Sequence, residues 1–136
     1  MKRELLIEDW DLKHFTPDEF MCPCGCKTMR VSERFARKLD LARDIAEEID
    51  KNDYAFYLNS GCRCPEHNTE INGKEHSLHL ADETRICEAA DIAFTSDHKM
   101  AVVLISLVKA GFTHIGIGSN FIHADDSDKT GSWLYS

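Results

Sequence analysis

Nowhere does this 136-residue chain approach the roughly 18 consecutive apolar residues needed to cross a bilayer, so no membrane partner is expected. No Lys/Arg cluster exceeds a couple of residues, and the net charge is -8. That excludes a nucleic-acid partner, whose phosphates demand a basic footprint, and disfavours charge-driven binding to an anionic surface. No targeting signal is visible either: M-K-R-E-L-L-I-E-D-W passes from a basic pair to acids and a tryptophan, with no apolar run of signal-peptide length. The expectation is cytoplasmic synthesis without a signal peptide, so a substrate outside the cell requires some other route of delivery. Repeats, low-complexity tracts and linkers are also lacking. What remains is a single domain, residues 1–136, long enough to bury one core without obligatory staples.

Cysteine, by contrast, is plentiful. Cys22, Cys24 and Cys26 alternate in M-C-P-C-G-C-K, Cys62 and Cys64 do the same in G-C-R-C-P, and Cys87 stands alone. An even count fits disulfides in a secreted protein, and metal or reduced thiols in a cytosolic one. The C-x-C spacing is not that of a zinc ribbon. Reduced thiols, a structural metal and disulfides all stay open.

The local pattern predicts an α+β fold. T-P-D-E is a capping box, with Thr16 as N-cap, Pro17 at the first helical position and Glu19 reaching back. Ser32 caps a helix to about Asn52, with Phe35, Leu39, Ala42, Ile45, Ala46 and Ile49 on one stripe. Arg37, Lys38, Arg43, Asp44, Glu47 and Glu48 form its solvated face. Tyr54 to Leu58 reads as a strand stopped by Asn59, Ser60 and Gly61, and Pro65 opens a short helix closed by Asn72 and Gly73. Ala89 to Phe94, Phe112 to Ile117 and Phe121 to Ala124 read as strands. Between them, Ser96 caps a helix over 97–110 that Gly111 ends; its V-V-L-I-S-L-V run, apolar almost all round, predicts a buried helix. Without regular βαβ alternation, the sheet should be mainly antiparallel.

Polar residues interrupt two of these strands. Asp91 breaks the apolar run A-A-D-I-A-F, and an unpaired carboxylate there would cost several kcal/mol. His123 breaks F-I-H-A-D, where alternation puts Asp125 on the same face, able to orient the imidazole. His79 lies in the polar loop H-S-L-H. Each has a plain reading as a paired polar group or, for His79, a surface residue. Should they converge, two imidazoles and one carboxylate leave a zinc ion one open position, as catalytic sites do.

The ordered stretches N-S-G-C-R-C-P-E-H-N, N-G-K-E-H-S-L-H-L, A-A-D-I and G-I-G…F-I-H-A-D resemble the zinc D-Ala-D-Ala carboxypeptidase and endopeptidase family of peptidoglycan peptidases. The likeness is to its small single-domain branch of phages and bacteria, with the patterns S-G-x-R-x-x-x-x-N, S-x-H-x-x-G-x-A-x-D and H-x-D. It covers roughly residues 14 to 136. The resemblance implies a hedgehog/DD-peptidase-like fold with helices on one side of the sheet, and a zinc metallopeptidase that acts, as a monomer, on peptidoglycan peptides. It makes His79, Asp91 and His123 the zinc ligands, Arg63 the cation for a substrate carboxylate, and Ser77 a pocket-lining hydroxyl. By analogy, the chain would reach the wall after phage-type release.

Two departures stand out. Asp91 lies twelve residues after His79 instead of the pattern's seven, which implies a five-residue insertion in L-A-D-E-T-R-I-C-E-A-A-D and predicts a loop at the rim of the site. A-A-D-I selects Asp91 over Asp82 or Glu83, and His76 is the rival to His79. The position three before His123, where relatives carry an acid, holds Asn120. Asp125 is therefore the nominee for acid–base catalysis, with a purely orienting role as the alternative. The missing acid equally suits a non-catalytic zinc-containing binding module or virion component, and cysteines holding a structural metal would suit an interaction domain.

Overall fold

The computed structural model describes residues 6–7, 9–52 and 54–135; most of the opening segment M-K-R-E-L-L-I-E-D-W that was read for a leader, residues 1–5 and 8, lies outside these. Among the described residues, four helices and five strands follow in the order α1 (Pro17–Phe20), α2 (Glu33–Ile49), β1 (Leu58–Ser60), α3 (Pro65–Glu70), β2 (Ala89–Ala93), α4 (Asp97–Ala110), β3 (His114–Ile117), β4 (Phe121–Asp125) and β5 (Gly131–Leu134). The strands form one sheet in the order β1-β2-β4-β3-β5. Every pairing is antiparallel except that of β5 with β3. The fold is the expected α+β class.

Capping chemistry sets the helix starts. Glu19 accepts the Thr16 amide at 2.7 Å, Ser32 accepts from Phe35 at 3.2 Å, and Ser96 accepts from Lys99 at 3.0 Å. Helix α2 stops at Ile49, earlier than expected, because the Asp50 carboxylate takes the Asn52 amide and the His98 ring. Gly111, at φ +106°, ends α4 in the left-handed conformation that glycine adopts without strain.

Strand alternation divides the sheet into two faces. Ala90, Ile92, Ile115, Ile122 and Ala124 join Phe35, Leu39, Ala46, Val102, Val103 and Leu107 in the core, so α2 and α4 cover one side. Each large apolar side chain buried there contributes about 1.5–3 kcal/mol. The other face carries Asp91, His123 and Asp125 from the same strands.

Several expectations need correction. Helix α4 is buried on one face only: Ile105 and Val108 are 43% and 56% exposed, because a single layer of sheet and α2 covers a helix from one side. The first strand forms at Leu58–Ser60, not Tyr54–Leu58, since β2 offers ladder partners only to Leu58 and Ser60, through a bulge. Phe56 turns into the core instead. The charged side of α2 is not all solvated: Lys38 pairs with buried Asp126 at 2.6 Å, and Arg43 lies over the Tyr54 ring. Trp133 belongs to a fifth strand beyond the four that the sequence pattern marked.

Candidate metal centre

Strand register assembles most of the site. Asp91 lies opposite His123, His123 opposite Gly116, and Gly116 opposite Trp133, so one row crosses four strands. One step along, Ala89, Asp125, His114 and Gly131 form a second row on the same face. Gly116 is required here: a Cβ would sit 2.5 Å from the Trp133 indole. Its bare backbone lets Trp133 lie across the sheet, 4.5 Å from the His114 ring and 5.6 Å from the His123 ring, between centroids.

His79 arrives from a loop laced to the Arg63 segment. The Arg63 amide donates to the His79 carbonyl at 2.7 Å, and Ala81 donates to the Arg63 carbonyl at 2.8 Å. Ser77 accepts the His79 amide at 3.1 Å, and Asn68 holds the loop at Lys74. The His79 ring is buried, with Nδ1 2.7 Å from the Gly61 carbonyl. A carbonyl only accepts, so Nδ1 carries the proton and Nε2 presents a lone pair.

His123 reaches the same state from the other nitrogen. Its Nε2 lies 2.7 Å from Asp125 Oδ2 and donates to it, leaving Nδ1 bare in the neutral ring. His79 Nε2, His123 Nδ1 and Asp91 Oδ1 then form a triangle with sides of 3.3, 3.0 and 3.3 Å. Three lone-pair atoms this close repel one another unless a proton or a cation lies between them. Tetrahedral zinc at 2.0–2.1 Å from each donor requires separations of about 3.3 Å, so the donor set fits that ion. Of the rivals, His76 is exposed and outside the cluster, and Asp82 is engaged by Arg85 and Thr84.

The charges agree with this reading. Burial opposes the charged form of Asp91, but His123 and His79 outweigh it and hold its pKa well below the usual carboxylate range. Burial lowers the pKa of His79. For His123 burial also acts downward, yet hydrogen bonds to Asp125 and Asp91 prevail and raise it.

Around the triangle is a cavity of about 410 Å³, lined by Arg63, Ser77, His114, Lys129, Trp133 and Tyr135 among others. Arg63 is mostly buried, with its guanidinium on Ser60 at 3.1 Å, Asn68 at 3.3 Å and Asp91 at 3.5 Å. Asp125 Oδ2 accepts from His123 and from His114 Nδ1 at 2.8 Å, while Oδ1 accepts the Ser127 amide at 3.1 Å. Asn120 is exposed in the β3–β4 turn and does not line the cavity. Nor does the inserted segment, expected at the rim: of residues 80–90 none lines it. Asp82 closes that segment on itself through the Thr84 and Arg85 amides, and Cys87 pairs with Val31 beside α2.

His114 escaped the sequence reading. Its signal was available, since T-H-I-G interrupts an apolar strand as A-A-D-I and F-I-H-A do.

The family model for Peptidase M15 matches residues 13–125. The chain belongs to this family of zinc peptidases. The match spans the His79, Asp91 and His123 cluster and ends on Asp125. A comparison with curated proteins found no match. Among the described residues, no helix is long and apolar enough to cross a membrane.

Proposed function

We propose that this peptidase is zinc-dependent and hydrolyses peptide bonds in peptidoglycan stem peptides or crosslinks, at D-alanine-type centres. The observation that carries the reading is the triangle of lone pairs on His79, Asp91 and His123, open to a cavity that Arg63 also lines. These three residues would hold the ion, and residues 1–136 would act as one monomeric domain. A zinc ion there supplies Lewis acidity, which activates water and polarises a carbonyl at neutral pH.

The chain's own groups complete the chemistry. Arg63 keeps N–H donors beyond those spent on Ser60, Asn68 and Asp91, and a planar guanidinium suits a substrate carboxylate. It would set the register of the peptide along the cavity. Ser77 lines the wall and, through the His79 amide, holds the ligand loop. Hydrolysis adds water across the amide: oxygen joins the carbonyl carbon, the C–N bond breaks, and nitrogen leaves with a proton that some group must deliver. Asp125, the candidate for acid–base catalysis, already receives two imidazoles and an amide. In this reading it is a positioning residue, and His114, oriented by it and lining the cavity, carries the proton.

A non-catalytic zinc-containing binding module is the second reading, favoured by the exposed Asn120 in place of an acid. Incubation with murein sacculi separates the two. Muropeptide release that is abolished by chelator and by His123→Ala supports the peptidase. Zinc binding without turnover supports the module.

A further inference from the structure

Cys22, Cys24, Cys26 and Cys64 gather away from this cavity, with four sulfur atoms all within 4.8 Å of one another. Cys22 and Cys24 are 3.6 Å apart at sulfur, and so are Cys24 and Cys64. A disulfide needs about 2.05 Å, and all six cysteines of the chain are free. Four thiolates at about 2.3 Å around a tetrahedral ion stand about 3.8 Å from one another, close to the spacing found.

The backbone is shaped for this convergence. Alternate residues of an extended strand have their Cα atoms about 6.8 Å apart, wider than the sulfur spacing around one ion. Here Gly25 at φ +96° and Lys27 at φ +62° fold C-P-C-G-C-K into a tight turn that brings its three side chains to one point. The fourth sulfur comes from Cys64, the N-cap of α3. Backbone amides point at three of the sulfurs: Cys64 donates to Cys22, Thr28 to Cys26, and His67 to Cys64, each at 3.4 Å. Such donors stabilise sulfur that carries negative charge.

We propose that Cys22, Cys24, Cys26 and Cys64 form a second metal site, a closed four-thiolate cage for one zinc-class ion with a structural role. Four sulfur ligands leave no open position, the mark of a structural site, and tetrahedral S₄ selects zinc or iron. Cys22 and Cys64 are buried while Cys24 and Cys26 are exposed, so the ion enters from the solvent side. The cage ties the loop after α1 to the segment that carries Arg63, which lies between Cys62 and Cys64. Cys62 already donates its amide to the Phe20 carbonyl at 2.8 Å, and the ion adds a second tie. It fixes the guanidinium without touching the reaction.

The test uses the full chain, purified reduced and anaerobically, with zinc counted by elemental analysis and cobalt as a spectroscopic probe. Two zinc ions per chain are expected in the wild type and one each in Cys24→Ser, Cys26→Ser and His123→Ala. Cobalt loading should give an intense thiolate-to-metal band in the wild type and in His123→Ala, but not in Cys24→Ser. The zinc remaining in each single variant shows that the variant is folded. A wild type with one zinc, lost in His123→Ala and kept in Cys24→Ser, overturns the proposal. So does a disulfide between any two of the four in the anaerobically purified protein, seen as cysteines that resist alkylation in denaturant and chelator until a reductant is added.

Discussion

His114 donates to Asp125 across two antiparallel strands, 2.8 Å from Nδ1 to Oδ2, on the oxygen that His123 also uses. One carboxylate thereby orients a candidate ligand and a candidate proton carrier together. His114→Asn should lower kcat by at least ~100-fold, the scale of a lost acid–base group, with zinc content unchanged. Asp125→Asn should in addition weaken zinc binding by about 10–100-fold, as loss of a ligand's orienting partner does. Equal zinc loss in both variants would sink the division of roles.

Removal of the ion should expose a pH dependence. Without it, His123 has a pKa raised above its ordinary 6.5, so its contribution to stability is present below that value and is lost as pH rises through the raised one. Asp91 and Asp125, both depressed, contribute above the ordinary carboxylate range and lose that contribution as pH falls through their lowered values. Buried His79, with its pKa lowered, resists protonation. Zinc needs both imidazoles neutral, so the rise in Tm on adding zinc should be larger at about pH 8 than at about pH 6. Thermal melts of chelated and zinc-loaded protein check this.

Arg63→Lys keeps the charge but loses the planar fork, and Arg63→Ala loses both. If the guanidinium receives a substrate carboxylate, kcat/KM should fall by about 10–100-fold in the alanine variant, the worth of a charged hydrogen bond. The lysine variant should fall between. Zinc content is measured alongside, because Arg63 also faces Asp91 at 3.5 Å.

Gly116→Ala places a methyl group 2.5 Å from Trp133, at a row of the sheet that has no slack. Destabilisation of about 1–3 kcal/mol is expected, the usual cost of overpacking, read from urea midpoints. Trp133 fluorescence should shift as the indole is pushed off the sheet.

Helix starts were legible in the sequence, since Thr16, Ser32 and Ser96 act through neighbours three residues away. The two polar interruptions were legible for a similar reason: Asp91 and His123 each break an apolar alternation and so demand a polar partner. Information held by distant partners was not. Nothing local tells that β2 would pair with Leu58–Ser60 but not with Tyr54–Phe56, or that α4 would have an uncovered face. The same holds for Cys64, whose neighbours at sulfur lie some forty positions earlier. His114 was a different omission, because its strand carried the same alternation signal as the other two.

The β2–β4 ladder places Asp91 against His123 and, one position further, Ile92 against Ile122. Adjacent residues point to opposite faces, so a slip of one residue would carry Asp91 into the apolar layer and turn Ile92 towards the cavity. No intermediate alignment keeps half the centre. If the centre holds an ion, it would proofread its own sheet: a chain that captured the ion would have aligned its central strands, and a misaligned chain would have nothing with which to capture it.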